Sequence, residues 1–374
     1  MPKNVPTPLP NLAYVDVARG IAILMVVLVH TAQSVSGLAG PVALLAGYGQ
    51  MGVQLFFVAS AFTLCRTFVQ RRTEPRHIRA FFIRRFWRIA PLYYLGIVFY
   101  FGVALARQLA GQDHAADAYT GWNILANVLF IHGFVPAANN NIVPGGWSIG
   151  TEMAFYACFP VLFYWFESLR AKGIWALVAV IGTAWVVDVV FHRTVGRGLD
   201  GYFFANHLIN QLPVFLLGML GYFVLEDGRY RGLLDSKPWL AIGFAVPTGI
   251  AIALWDYKPH VMSAVLPTLA GISFFFLLNL LRLWRHPPPL LCAMGRVSFS
   301  IYIFHFIFAK ILLKPFLAQH PTTLPPALVL AVSYVLVCLA TFTIALVTER
   351  TIEKRGIAFG SQMVKRVAAR ASVA

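Results

Sequence analysis

Four groups of residues in this chain have types and spacings suited to chemistry. Arg19 and His30 lie eleven positions apart in one apolar run, so a helix would separate them by about 16 Å along its axis. An imidazole titrates near neutrality and can take a proton from a hydroxyl. Equally, His30 reads as a buried histidine bonded to a carbonyl, and Arg19 as a cation reaching for the membrane surface. The second group is Gly145-Gly146-Trp147-Ser148-Ile149-Gly150-Thr151-Glu152, which sets a carboxyl about one turn into another apolar run. At a depth comparable with His30, Glu152 would attract the imidazole and fix its tautomer. The alternative is a structural ion pair, or a helix cap acting through Ser148. Gly145 and Gly146 either let a substrate approach the backbone or merely turn the chain.

The third group is Arg84-Arg85-Phe86-Trp87-Arg88, directly before Pro91. Guanidinium forks bind phosphates in pairs of hydrogen bonds, so this cluster suits a polyanionic nucleotide tail, with Arg85 and Arg88 on one helical face. The neighbouring arginines 66–79 read more simply as lipid and topology charges. Ser298, Tyr302 and His305 form the fourth group, at i, i+4 and i+7 on one face, where they either serve a substrate or hold helices together. No Walker loop, GxSxG elbow or clustered metal-ligand spacing occurs, and the four cysteines (Cys65, Cys158, Cys292, Cys338) lie singly in apolar runs.

The elements that must position these groups are transmembrane helices. The 374 residues are 59% hydrophobic and only 12% charged, too little polar surface for a soluble domain. Fully apolar stretches such as 21–29 and 327–347 argue against a β-barrel, whose strands alternate. Eleven apolar segments are visible, near 13–34, 49–67, 89–108, 121–135, 149–168, 173–191, 207–225, 239–255, 261–281, 291–315 and 326–348. The net charge of +16 reports orientation rather than nucleic-acid binding. If all eleven crossed, the basic 282–296 segment and the basic tail would lie outside. Treating 121–135, the shortest, as non-spanning or re-entrant places both termini, Lys3 and the eight-arginine loop 66–88 in the cytoplasm, with Arg107, Arg193, Arg197, Lys258 and Lys314 outside. The expectation is therefore an all-α polytopic bundle of about ten spans. It divides into a cytoplasmic N-terminal segment 1–12, a transmembrane domain 13–350 and a basic cytoplasmic tail 351–374, which beyond about Gly356 reads as a solvated appendage. A signal peptide is disfavoured by Asp16, Arg19 and the poor cleavage site at 31–33.

In this order the four groups resemble the membrane-bound acyltransferase-3 family. The resemblance is carried by Tyr14 to Ile23 with Arg19 and His30, by Gly52-Val53-Gln54-Leu55-Phe56-Phe57-Val58 with Ser60, and by Phe81 to Pro91. It continues through Gly146-Trp147-Ser148-Ile149 with Glu152 and Phe155-Tyr156, then Gly295 to Tyr302 with His305. Phe299 stands where the family often has tyrosine. The resemblance implies a multi-pass enzyme of the inner (plasma) membrane. It would move an acyl group, usually acetyl, from cytoplasmic acyl-CoA to a hydroxyl of a glycan, a lipid-linked saccharide or a small hydroxylated acceptor, without a metal. His30 would be the base and Glu152 its partner. Arg85, Arg88, Arg19 and Arg84 would hold the donor, and Gly145, Gly146, Trp147, Ser148, Tyr156, Ser298, Tyr302 and His305 the reacting substrates. The competing reading from the residues is a transporter or flippase of a glycan precursor, relaying charge through Arg, His and Glu.

Overall fold

Inside a bilayer the amides of an apolar run can bond only to one another, so each run of sufficient length closes into a helix. The computed structural model describes residues 12–112, 114–194, 201–255 and 259–371, which form helices and turns with no strand among them. In chain order the helices are α1 (Ala13–Ala32), α2 (Gly40–Tyr48), α3 (Gly52–Gln70), α4 (His77–Leu109), α5 (Gly121–Val128) and α6 (Gly146–Arg170). There follow α7 (Ile174–Thr194), α8 (Gly201–Asn206), α9 (Leu208–Asp227), α10 (Arg231–Leu234), α11 (Lys237–Ala253) and α12 (Pro259–Arg282). The last five are α13 (Pro289–Arg296), α14 (Ser298–Phe306), α15 (Leu313–Gln319), α16 (Pro326–Thr348) and α17 (Lys354–Ala371).

Among the described residues, nine helical stretches are long and apolar enough to cross a membrane, and α11, at 17 residues, is slightly shorter. The protein is an all-α polytopic bundle, as expected. Its rim is apolar: Val98, Val161, Leu336 and Leu339 project outward, as a hydrocarbon solvent requires. Segment 121–135 holds only the eight-residue α5 and one 3₁₀ turn, His132–Phe134, with a second, Pro136–Ala138, directly after it. At about 12 Å, α5 cannot cross.

Three expectations need correction. The stretch 66–88 is mostly not a loop, since Arg66 lies in α3 and Arg79, Arg84, Arg85 and Arg88 in α4. Arginine is a good helix former, and only the turn bearing Arg71, Arg72 and Arg76 breaks the hairpin. Segment 291–315 is divided at Val297 between α13 and α14. The tail is no solvated appendage, because α17 packs along α4, with Phe359 against Trp87 at a ring separation of 4.4 Å. Lys3, Arg197, Lys258 and the segment 1–11 lie outside the described residues.

α1 is the central helix. Its neighbours approach so closely that side chains are excluded at two crossings. A Cβ at Gly295 of α13 would stand 1.8 Å from the Asp16 carbonyl oxygen, and one at Gly52 of α3 would stand 2.5 Å from that of Ala22. Small residues at such crossings let backbones meet in a membrane, where packing and hydrogen bonds hold helices together. Arg19 and His30 are thereby fixed near opposite ends of one buried rod.

Candidate active site

His30 occupies the last turn of α1 and lines a cavity of about 660 Å³ at that end of the bundle. Its Nδ1 meets Gln33 Oε1 at 3.2 Å. A carboxamide oxygen only accepts, so Nδ1 carries the proton and Nε2 keeps its lone pair. The His305 ring lies 5.2 Å from the His30 ring, and the Phe306 ring 4.4 Å away. His305 is fully buried, donates from Nδ1 to the Tyr302 carbonyl at 2.8 Å, and leaves Nε2 without a partner. It backs His30 and does not line the cavity. The walls are neutral amides and aromatics: Gln54, Gln211, Asn206, Trp147, Trp255 and Tyr202. Gln54 Nε2 donates to Gln211 Oε1 at 3.0 Å, while Gln54 Oε1 and Asn206 Nδ2 are buried and unpartnered.

A second cavity, about 250 Å³, lies at the other end of α1 and gathers Arg19, Arg71, Arg84, Arg85 and Arg88. Arg84 is tied to Glu74 at 2.6 Å and Arg71 lies 3.5 Å from the same carboxylate. Arg85 donates to Thr67 Oγ1 at 3.2 Å and has the Phe81 and Tyr156 rings 5.8 Å from its guanidinium carbon. The Nε groups of Arg84 and Arg85 are buried without partners, and the cavity's described lining holds five guanidiniums and no carboxylate. Unmatched donors and positive charge of this kind fit a phosphate-bearing ligand.

Between these two lies a third, narrower space of about 80 Å³. It shares Arg19, Arg85 and Arg88 with the arginine cavity, and Val53 and Tyr302 with the His30 cavity. Glu152 sits here. Ser60 Oγ and Tyr156 Oη both donate to its Oε1 at 2.6 Å. The expected pairing of Glu152 with His30 is therefore not formed. Similar depth along two helices does not make two side chains face each other, and α6 turns Glu152 toward Ser60 of α3. Nor does Glu152 cap α6, which begins at Gly145 without a side-chain cap.

The remaining expected residues divide by place. Ser298 and Tyr156 line the middle space, not the His30 cavity. Tyr302 lines both, accepts from Ser148 Oγ at 2.7 Å and donates to the Gly145 carbonyl at 2.9 Å. Trp147 and Gly145 line the His30 cavity. Gly145 has φ of 77°, and a Cβ there would press on the Tyr302 hydroxyl at 3.0 Å, so glycine is required twice over. Gly146 serves packing, since the Tyr93 hydroxyl occupies the place a side chain would take, 2.9 Å from its Cβ position. His132 donates from Nε2 to the Gly146 carbonyl at 2.9 Å and stacks on Tyr93. Burial holds its imidazolium below the ordinary histidine range, and the neutral ring anchors the loop before α6.

The acyltransferase domain model of the acyltransferase-3 family matches residues 12–350, nearly the whole chain. The chain belongs to the acyltransferase-3 family. This acyltransferase is 26% identical over 281 residues to the acyltransferase MdmB of Streptomyces mycarofaciens, covering 69% of this chain and 68% of that one. Similarity to the exopolysaccharide production protein ExoZ of Rhizobium meliloti is 26% identity over 276 residues, covering 72% and 80%. The peptidoglycan O-acetyltransferase OatA of Listeria monocytogenes is 28% identical over 123 residues, 30% of this chain and 19% of the relative. No solved structure matches. Gln33, Ser60, Gln54, Gln211 and His132 were not singled out by sequence as site residues. Of these, Gln54 and Ser60 carried a signal, their place in the family motif.

Proposed function

We propose that this acyltransferase moves an acyl group, acetyl foremost, from acyl-CoA in the arginine cavity to a hydroxyl of a carbohydrate-bearing acceptor in the His30 cavity. The observation that carries this reading is the series of three spaces along α1. Charged residues are shared at one junction and Tyr302 at the other. The rise from Arg19 to His30, about 16 Å, is a span that an extended thioester arm can bridge. A wall of neutral amides suits a polyhydroxylated ligand, whose hydroxyls both donate and accept. The names of OatA and ExoZ support a glycan acceptor, and the basic flank of α3 and α4 supports a cytoplasmic arginine end with both termini inside, in a plasma membrane.

Bound acyl-CoA would pass its thioester arm through the middle space and supply an activated acyl carbonyl where that space opens to the His30 cavity beside Tyr302. Arg85 and Arg88 would hold phosphate oxygens, with Arg19 beside them at the same junction. Arg84, already engaged by Glu74, contributes charge and its unpartnered Nε. His30 Nε2 takes the acceptor hydroxyl proton as the oxygen becomes a nucleophile, while Gln33 holds Nδ1–H and so keeps the basic nitrogen toward the cavity. Glu152, fixed by Ser60 and Tyr156, offsets part of the charge of the four guanidiniums of the passage, Arg19, Arg85, Arg88 and Arg296. Over the whole reaction the hydroxyl proton ends on the donor sulfur and the acyl group on the acceptor oxygen.

Purified protein incubated with labelled acetyl-CoA and candidate polysaccharides tests the reading. Label transfer with equal release of free thiol is expected. Acceptor movement across a vesicle membrane without thiol release would favour the transporter reading instead.

A further inference from the structure

The matched family domain ends at residue 350, and α17 begins at Lys354. Yet two α17 side chains, Ile357 and Ser361, form part of the wall of the arginine cavity, opposite Arg19, Arg85 and Arg88. The helix is held there by a stripe of small residues. A Cβ on Gly356 would stand 2.6 Å from the Trp87 carbonyl oxygen, and one on Gly360 would stand 2.8 Å from Trp87 Cβ, so only glycine allows this approach to α4. Val364 continues the stripe and is buried. With that face against α4, the neighbouring row, Ile357 and Ser361 at i and i+4, faces the cavity. Arg355 and Arg366 lie on the far side, exposed.

From this arrangement we infer that α17 is a donor-binding element, whose Ile357 and Ser361 contact the nucleotide end of the bound acyl-CoA. This rests on the reading of the arginine cavity as the donor site. Ile357 is 40% exposed although large and apolar, and the surface it exposes includes part of the cavity wall. Ser361 Oγ donates to the Ile357 carbonyl at 2.9 Å, a local bond that a serine in a helix can exchange for one to a ligand oxygen. One wall thus presents an alkyl group and a hydroxyl, and the other presents guanidiniums with two unpartnered Nε donors. That combination matches a ligand joining phosphates to an apolar ring or chain. Lys365, one turn beyond Ser361, adds a cation toward the end of the same flank.

The test uses the full-length chain in a background with the four native cysteines replaced and transfer activity retained. Ile357→Cys should be alkylated by a maleimide and protected at least tenfold by coenzyme A. Gln362→Cys, on the opposite face of α17, should not be protected. Separately, Ser361→Phe, which fills the cavity from its wall, should raise the KM for acyl-CoA at least tenfold and leave that for the acceptor unchanged. Arg85→Ala with Arg88→Ala serves as the reference. If the arginine variant weakens donor binding while Ile357→Cys is unprotected and Ser361→Phe keeps the wild-type KM, α17 is not part of the donor site. If coenzyme A neither binds nor protects, and the arginine variant keeps its donor dependence, the donor site itself is misplaced and the inference fails with it.

Discussion

At one end of α1, five arginines from α1, the turn after α3 and α4 line a cavity whose described lining holds no carboxylate, and Glu74 pairs with two of them. At the other end, amides, indoles and phenols from many helices share a larger cavity. Among its described lining residues, Lys310 is the only lysine or arginine. The contrast is one of recognition chemistry. Charge selects a polyanion strongly and over a distance, whereas neutral amides select by the match of individual hydrogen bonds and reject a ligand that leaves one of them unmade. A chain built this way would hold a common donor at one end and allow acceptor choice to be set at the other by exchanging uncharged residues.

The comparison can be broken most decisively at His30. His30→Ala should lower turnover by about 10²-fold or more with normal expression and membrane insertion, because it removes the proposed base without removing packing of comparable worth. Retained turnover would show that the neutral cavity is not where the proton is taken. Next in size, Arg85→Ala with Arg88→Ala should raise the KM for the donor and spare that for the acceptor, each charged contact contributing about 1.5–3 kcal/mol. A change confined to acceptor dependence would reverse the assignment of the two ends.

Glu152→Gln sharpens the boundary between them. With its hydrogen bonds going to Ser60 and Tyr156, the loss of charge should weaken turnover or donor affinity while leaving the midpoint of the pH–rate profile unmoved. A displaced midpoint would restore an electrostatic link to His30. The smallest effect is expected at Gln54→Leu, which should raise the acceptor KM several-fold, on the order of 0.5–1.5 kcal/mol, with the donor KM unchanged. Steady-state kinetics with each substrate varied in turn reads both outcomes.

The same contrast explains what the sequence revealed. Arg19 and His30 were legible because helical rise converts spacing into depth, and the arginine cluster because charge is rare in such a chain. The non-spanning character of 121–135 followed from length and charge distribution. Depth carries no azimuth, however, which is why Glu152 was matched to His30 when it faces Ser60. Gln54 and Gln211 meet across 157 positions as uncharged side chains inside apolar runs, and nothing local distinguishes either from a helix-bridging amide. α17 read as a solvated tail because its basic residues dominate its composition. The Gly356 and Gly360 pair at i and i+4 was the available sign of a packed face.

The π segment Glu349–Glu353 joins α16 to α17, and its Glu353 is buried and accepts from Ser300 Oγ of α14, which in turn accepts from Thr348 at 2.9 Å. A π turn accommodates one residue more than the α turn it replaces, so it acts as an angular setting for everything downstream. Deleting a single residue there would rotate α17 by about 100° about its own axis. Ile357 and Ser361 would swing out of the cavity and a different flank of the helix would swing in, and Gly356 and Gly360 would no longer meet Trp87. The composition of the cavity wall is thus encoded partly in a residue count, and a length change outside the wall could re-letter it without altering any residue that lines it.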